Sequence, residues 1–288
     1  QQSWYQNTLF EYDLQTGKTS LVATSVYGDQ GIFNCLAVSG KWVSWVTNLP
    51  DGSHWQLFAK SLETGEQILV DREEDTGVTT GIPLRYLYTA LSGDNLVWSS
   101  SRKAADGTTH GVVTLLDLAT RQKRVLAEVA DPWSFTVVDI DGDRVVWNKA
   151  GGPGQTPQPN VYLYDLSSGK LTQLTHDDQS YEPQIHGDWV VWREGFGEVG
   201  PIVLYNLKSG ELRRLAVNGD MPKIGDGLVL FWTYLRPFAM VYDIERNTLS
   251  GAFDTDNFLS SEPMYIVGRT IATPTNPDPK TGKNTIEI

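Results

Sequence analysis

The chain has 288 residues and one cysteine, Cys35, so no internal disulfide can brace it. Cys35 stands beside Leu36, Ala37 and Val38, a setting that suits an inert buried thiol rather than a reactive one. No apolar run approaches the about 18–20 residues a membrane-spanning helix needs. Basic residues are few: 23 Lys and Arg stand against 35 Asp and Glu, for a net charge of −12. That balance argues against nucleic acid and against an anionic membrane surface, because both call for a basic footprint. No 3.6-residue apolar stripe runs long enough for a good helix. Nucleophile elbows, phosphate loops and dinucleotide fingerprints are also missing. The four histidines, His54, His110, His176 and His186, show no metal-ligand spacing. The sequence begins at Gln1 with no signal segment, as expected of a chain whose export signal has been removed.

What is present is a repeat. Its clearest copy runs from Val161 to Thr175, and others begin near Leu9, Leu57, Thr114, Ile202 and Met240. Aligned on the residue after the first apolar run, the copies place Asp13, Ser61, Asp117, Asp165, Asn206 and Asp243 together. Four residues later come Gly17, Gly65, Arg121, Gly169, Gly210 and Asn247. Glycine or asparagine there signals a turn residue at positive φ, so each copy reads as strand, tight turn, strand. Arg121 breaks the rule, and its turn is expected to have another shape.

A second block alternates with the first. It reads Gly40–Trp45, Gly93–Trp98, Gly142–Trp147 and Gly187–Trp192, with looser forms at Gly227–Trp232 and Gly268–Ala272. Gly-Asp before a β-branched or aromatic run marks a hairpin turn feeding a strand. Upstream stretches led by Pro83, Pro132, Pro183, Pro222 and Pro263 read as strands opening on proline, a position where the missing N–H is tolerated. Each unit thus holds four strands, and several such units in series are the signature of an all-β fold, a β-propeller. Trp45, Trp98, Trp147, Trp192 and Trp232 share one repeat position and are expected between stacked sheets.

The Pro-led strand, the Gly-Asp turn and the Tyr-Leu-Tyr-Asp-Leu-x-x-Gly-Lys stretch together resemble the repeats of TolB-like propellers, best over residues 161–192. The family's usual Ser-Pro-Asp-Gly turn is replaced here by His186-Gly187-Asp188 or Asp141-Gly142-Asp143, which marks a divergent member rather than TolB itself. The resemblance implies a six-bladed propeller and an extracytoplasmic home, and it carries over no catalytic residue. The repeat fills residues 1–288 as a single domain of six four-stranded blades. It starts on a Tyr-Asp-Leu half and ends on a Trp-type half, so a composite blade of N- and C-terminal strands is expected to close it. Residues 285–288 read as a competing copy of the third strand.

Sorting loops by propeller topology puts an acidic residue in every blade-to-blade loop: Asp29; Asp71, Glu73, Glu74 and Asp75; Glu128 and Asp131; Asp177 and Asp178; Asp220; and Asp254 and Asp256. Such a ring is either a solvated rim or a negative funnel for a cation or basic partner. The long Pro/Gly-rich loops between second and third strands are expected on the same face, where function concentrates. Candidate contact residues there are Trp55, Asp71, Glu73, Glu74, Arg85, Trp133, His176, Asp177, Asp178, Glu182, Lys223, Arg236 and Glu262. Trp55 and Trp133 fall outside the core tryptophan register and read as stacking platforms. The Asp139–Asp143 run lacks the closing Glu of an EF-hand and aligns with the structural turns.

These features predict a non-enzymatic binding module that docks a protein or cell-envelope glycan. The alternative is a carbohydrate-active enzyme, a polysaccharide lyase or glycoside hydrolase, with His176, Asp177, Arg85, Tyr86, Tyr181 and Glu182 at the channel mouth. No cofactor and no metal site is expected, with room left for a channel-bound cation such as calcium.

Overall fold

Short apolar runs bounded by turn residues recur along the chain, and among the described residues the computed structural model contains twenty-four β-strands and no helix. It describes residues 5–13, 16–27, 34–48, 55–73, 88–130, 135–149, 159–197, 199–233, 239–253, 265–267, 270–274 and 286–287. The chain divides into two compact units, residues 1–142 with 150–156, and residues 143–149 with 157–288.

In the first unit, β1 (Tyr5–Tyr12) and β2 (Thr19–Tyr27) form a two-stranded antiparallel sheet. Next come two four-stranded meanders. One is β3 (Asn34–Ser39), β4 (Trp42–Asn48), β5 (Trp55–Ser61) and β6 (Gln67–Arg72). The other is β7 (Thr89–Ser92), β8 (Asn95–Lys103), β9 (Thr109–Asp117) and β10 (Lys123–Val129). A further strand, β11 (Phe135–Asp141), lies against β7 and β8.

The second unit begins with β12 (Arg144–Lys149), β13 (Asn160–Asp165) and β14 (Leu171–Gln173), paired in that order. A seven-stranded run follows: β15 (Ser180–His186), β16 (Trp189–Glu194), β17 (Gly200–Asn206), β18 (Leu212–Gly225), β19 (Leu228–Trp232), β20 (Ala239–Asp243) and β21 (Thr248–Phe253). Strand β18 serves two sheets, its first half pairing with β17 and its second half with β19. The last sheet is β22 (Tyr265–Val267), β23 (Thr270–Pro274) and β24 (Ile286–Glu287), so residues 286–287 take the third-strand place beside β23.

The recurring residues have local reasons. Asp13, Ser61, Asp117, Asp165, Asn206 and Asp243 each accept backbone N–H groups two or three residues on, at 2.7–3.1 Å. That is why a short side chain with an acceptor oxygen recurs there. The next residue ties the two sequence blocks together. The N–H of Leu62, Leu118, Leu166, Leu207 and Ile244 donates to the carbonyl of Lys41, Asp94, Asp143, Asp188 and Gly227, in the Gly-Asp-type hairpin, at 2.7–2.8 Å.

Two expectations are corrected here. The third turn has the same shape as the others: Arg121 has φ +64°, inside the +54° to +74° range of its five equivalents. Its N–H closes onto Asp117 O at 2.8 Å just as Gly169 closes onto Asp165. A side chain at that φ costs about 1–2 kcal/mol. Partners offset the cost: the guanidinium bonds Glu66 Oε1 at 2.8 Å and lies 5.6 Å from the Trp42 ring. The prolines are the second correction. Pro183 and Pro222 lie inside β15 and β18, each directly after a left-handed residue, Glu182 at +56° and Met221 at +47°. Pairing slips at both places, between Tyr181 and Gln184 and between Asp220 and Lys223. A bulge frees the proline from the ladder, so its missing N–H is not needed. Cys35, at +52°, makes the same bulge in β3 without proline. Pro83, Pro132 and Pro263 lie outside the described residues.

The middle strands of the meanders bury both faces between sheets. Trp42, Val46, Leu57 and Ala59 pack against Leu96, Trp98, Leu116 and Leu118 of the following meander. In the second unit Val190, Trp192 and Val203 pack on Val146 and Val161, while Val191, Ile202 and Leu204 face the other way onto Val229 and Phe231. The five aligned tryptophans are buried as expected. The register shifts one detail: Leu228 pairs as Trp189 does, so Phe231, not Trp232, holds the position of Trp192. Trp232 points into the next layer, with Leu230 and Ala239.

Candidate functional site

Among the described residues of the second unit, a dense polar arrangement is built on Arg193, at the end of β16. Its side chain is only 6% exposed. Arg193 is paired across the ladder with Tyr181 of β15, and its guanidinium carbon sits 4.9 Å from the Tyr181 ring. Buried charge must be compensated. Nε lies 3.5 Å from Glu182 Oε2 and 3.4 Å from Asp220 Oδ1, while Nη1 donates to Gly195 O at 3.2 Å and Gly197 O at 2.8 Å. Those carbonyls belong to glycines at φ +98° and +113°, a region closed to most side chains. Nη2 has no hydrogen-bond partner among the described residues. Burial pushes the Tyr181 phenol up, and the neighbouring Arg193 charge opposes that shift.

The surrounding side chains come from the same end of the sheet, where Ser180 pairs with Glu194, Gly200 with Gly219, and Asp220 with Trp232. Phe196 stacks edge-on to Tyr181 at 6.4 Å. Arg214 forms an ion pair with Glu194, and Lys223 Nζ bonds Gln184 Oε1 at 3.2 Å.

Of the residues singled out from sequence, this site brings Glu182 to Arg193 and places Lys223 nearby on β18. Asp177 and Asp178 lie just before β15 in structural roles. Asp177 accepts from Ser180 Oγ at 2.9 Å, and Asp178 accepts from the buried Asn160 amide at 2.7 Å. Burial and the Asp178 charge both raise the Tyr162 phenol. His176 is exposed beside them.

The first unit holds three more. Asp71 is a strand residue of β6, accepting the Trp98 indole N–H at 2.7 Å and pairing with Lys123 at 3.2 Å. Glu73 and Trp55 clasp each other: Glu73 N–H donates to Trp55 O at 2.9 Å, and Trp55 N–H to Glu73 Oε2 at 3.3 Å. Trp55 is half-buried against the Trp42–Trp98 layer rather than standing free as a platform, because its place at the head of β5 turns it to that core. Glu74, Arg85, Trp133, Arg236 and Glu262 lie outside the described residues, as do Asp29, Asp75, Asp131, Asp254, Asp256, Tyr86 and His54.

The remaining described acids of the blade-to-blade stretches are also engaged. Glu128 takes Arg102 and His110, whose hydrogen bonds, Arg102's first, hold its carboxyl below the usual range. Asp220 takes Arg193. His186 reaches Asp226 at 2.9 Å, and Ser39 and Ser92 likewise accept from the next hairpin's Gly93 and Gly142 N–H at 2.9 Å. The Asp139–Asp143 run is therefore a scaffold turn. Among the described residues no three His, Cys, Asp or Glu side chains gather as a metal site would require.

Arg193 itself was not among the sequence candidates. The signal was there: the residue after the repeat tryptophan is Val46, Ser99 or Asn148 elsewhere, and an arginine at that buried position is out of pattern.

The chain matches no protein-family model, and no curated protein matches it. Solved structures do match. TolB from Acinetobacter baumannii superimposes with a TM-score of 0.55 at 14% identity, over 84% of this chain and 58% of TolB. The chain therefore spans little more than half of that protein. The propeller domain of the Trilobed protease from Pyrococcus furiosus gives a TM-score of 0.61 at 12% identity, over 94% of this chain and 85% of that one. The fold is a β-propeller of the TolB-like kind. An oligogalacturonate lyase solved with manganese shares the propeller too, with a TM-score of 0.57 at 12% identity, over 96% of this chain and 81% of the lyase. At such identities the likeness is one of fold, which hosts binding proteins and enzymes alike. In propeller terms, the Arg193 cluster lies where one blade's second strand leaves for its third and where β18 passes into the next blade.

Proposed function

We propose that this propeller is a non-enzymatic binding module acting outside the cytoplasm, docking a protein or cell-envelope partner on the loop end that carries Arg193. One observation carries the reading: at that end a largely buried guanidinium, held through Nε and Nη1, lies near exposed apolar side chains, Phe196 at 60% and Met221 at 48%. Apolar area around a fixed polar anchor is the make-up of a recognition patch. Elsewhere the described candidate carboxylates are spent on the scaffold, which leaves few groups for acid–base chemistry. Glu182 and Lys223 belong to the proposed contact surface, with His176 at its border; Asp177 and Asp178 support it from within. No helix among the described residues is long and apolar enough to cross a membrane. The same proposal holds the chain to be one domain of six blades, with a composite blade of terminal strands closing the ring.

The test is capture by photo-crosslinking from cell-envelope extract, run beside depolymerisation assays on neutral and uronate-containing polysaccharides. A partner lost on Phe196→Ser supports docking. Release of saccharide products by the purified protein overturns it in favour of the carbohydrate-active alternative.

A further inference from the structure

Resting on the docking reading, we infer that the Arg193 end receives a basic, apolar peptide segment of the partner. Arg193 has five donor hydrogens. Nε donates its one to Glu182 at 3.5 Å, longer than charge-assisted bonds usually run, with the Asp220 carboxylate in ion-pair range at 3.4 Å. Nη1 is capped by two backbone carbonyls. The two hydrogens on Nη2 have no acceptor among the described residues. Two peptide carbonyls already satisfy this guanidinium, and a third, from an incoming main chain, fits the edge left over.

Charge selects the rest of the ligand. Around the site stand Glu182, Glu194, Asp220, Asp177 and Asp178 against Arg193, Arg214 and Lys223. The acids outnumber the bases, and the whole chain carries −12. An anionic ligand such as a uronate would meet that excess, whereas a Lys or Arg side chain neutralises it. Glu182, on the strained left-handed bulge, is partly exposed and is the acceptor presented to such a cation. Phe196, held edge-on to Tyr181, and Met221, next in sequence to Asp220, offer exposed apolar area near the polar pair.

The probe is a fluorescein-labelled dodecapeptide alternating Lys with Phe or Leu, compared by anisotropy with a counterpart in which Glu replaces Lys. The expected result is saturable binding of the cationic peptide, weakened about tenfold by Phe196→Ser or Met221→Ser. Glu182→Gln is expected to weaken it and flatten its salt dependence. Both apolar positions are exposed, so these variants keep the wild-type melting curve, and the test does not depend on replacing buried Arg193. Equal binding of the acidic peptide, or cationic binding indifferent to Phe196→Ser and Glu182→Gln, overturns the inference. So does a cationic peptide that fails to bind at all, while a partner captured from envelope extract would leave the docking reading standing.

Discussion

The indole N–H of Trp98 donates a 2.7 Å hydrogen bond to Asp71 Oδ2, from one blade to the blade before it. Lys123 completes the arrangement, 3.2 Å from Asp71 Oδ1 and 4.9 Å from the Trp98 ring centre. A carboxylate that looked like part of an acidic rim is thus an inter-blade fastener. Trp192 holds the same repeat position, yet its buried Nε1 has no partner among the described residues.

That contrast predicts unequal costs for one substitution. Trp98→Phe and Trp192→Phe remove similar apolar area, but only the first breaks a bond to a charged group. Chemical denaturation is expected to show Trp98→Phe less stable than Trp192→Phe by about 1–2 kcal/mol. Equal losses would mean that the Asp71 bond contributes nothing.

Arg121 carries opposing effects. Arg121→Gly relieves the positive φ while losing the Glu66 pair and the Trp42 contact, each worth about 0.5–1 kcal/mol at an exposed site. Near-neutral stability is expected. Arg121→Ala loses the same contacts and keeps the strain, so it should unfold at lower denaturant, by about 1 kcal/mol relative to Arg121→Gly. The reverse order would show the turn to be unstrained.

Asp165 opens the turn of β13 and β14 with its carboxylate well hydrogen-bonded. Hydrogen bonds from the Ser167 and Ser168 hydroxyls, then the Ser168 N–H, lower its carboxyl from 3.8 to about 2. A depressed folded-state pKa stabilises the fold above the unfolded value, and that contribution is lost as pH falls from about 4 through about 2. Asn206 fills the equivalent place with the same backbone bonds. Asp165→Asn should therefore keep the turn and make acid unfolding between pH 4 and 2 less steep. NMR titration of the Asp165 carboxyl reads the value directly; a midpoint near 4 would refute the assignment.

Gly219 pairs with Gly200 where β17 meets β18. A Cβ on Gly219 would stand 2.3 Å from Ile202 Cγ1 and 3.0 Å from Phe231 Cδ2. Gly219→Ala is expected to cost about 1–3 kcal/mol by overpacking. Ile202→Ala removes the nearest obstacle, so the double variant should be more stable than the two single losses summed. Simple additivity would show that the clash relaxes in some other way.

The strands and turns were legible because their causes are local. Alternating apolar residues, an acceptor side chain opening each turn and a glycine four residues on are all readable in a few consecutive positions. The five tryptophans were assigned to inter-sheet packing on the same grounds. Arg121 misled because glycine's freedom is only the commonest way to reach positive φ; partners 55 residues and more away supplied another. The prolines misled because a bulge, like a strand start, spares an N–H, and position in sequence does not distinguish the two.

The site was harder still. Glu182 and Lys223 were marked for following or flanking a proline, without a view of what they meet. Asp71 and Glu73 were marked for charge, and charge says nothing about whether a Trp indole or a backbone N–H has already claimed it. Periodicity and turn chemistry act within about fifteen residues, so the order of amino acids is enough to specify a repeat of four-stranded antiparallel units. Which acids are scaffold, and that Arg193 is the centre of the loop end, emerge only once the strands are packed. Those outcomes depend on partners brought together from separate strands, and on burial, which turns an ordinary arginine into a charge that must be answered.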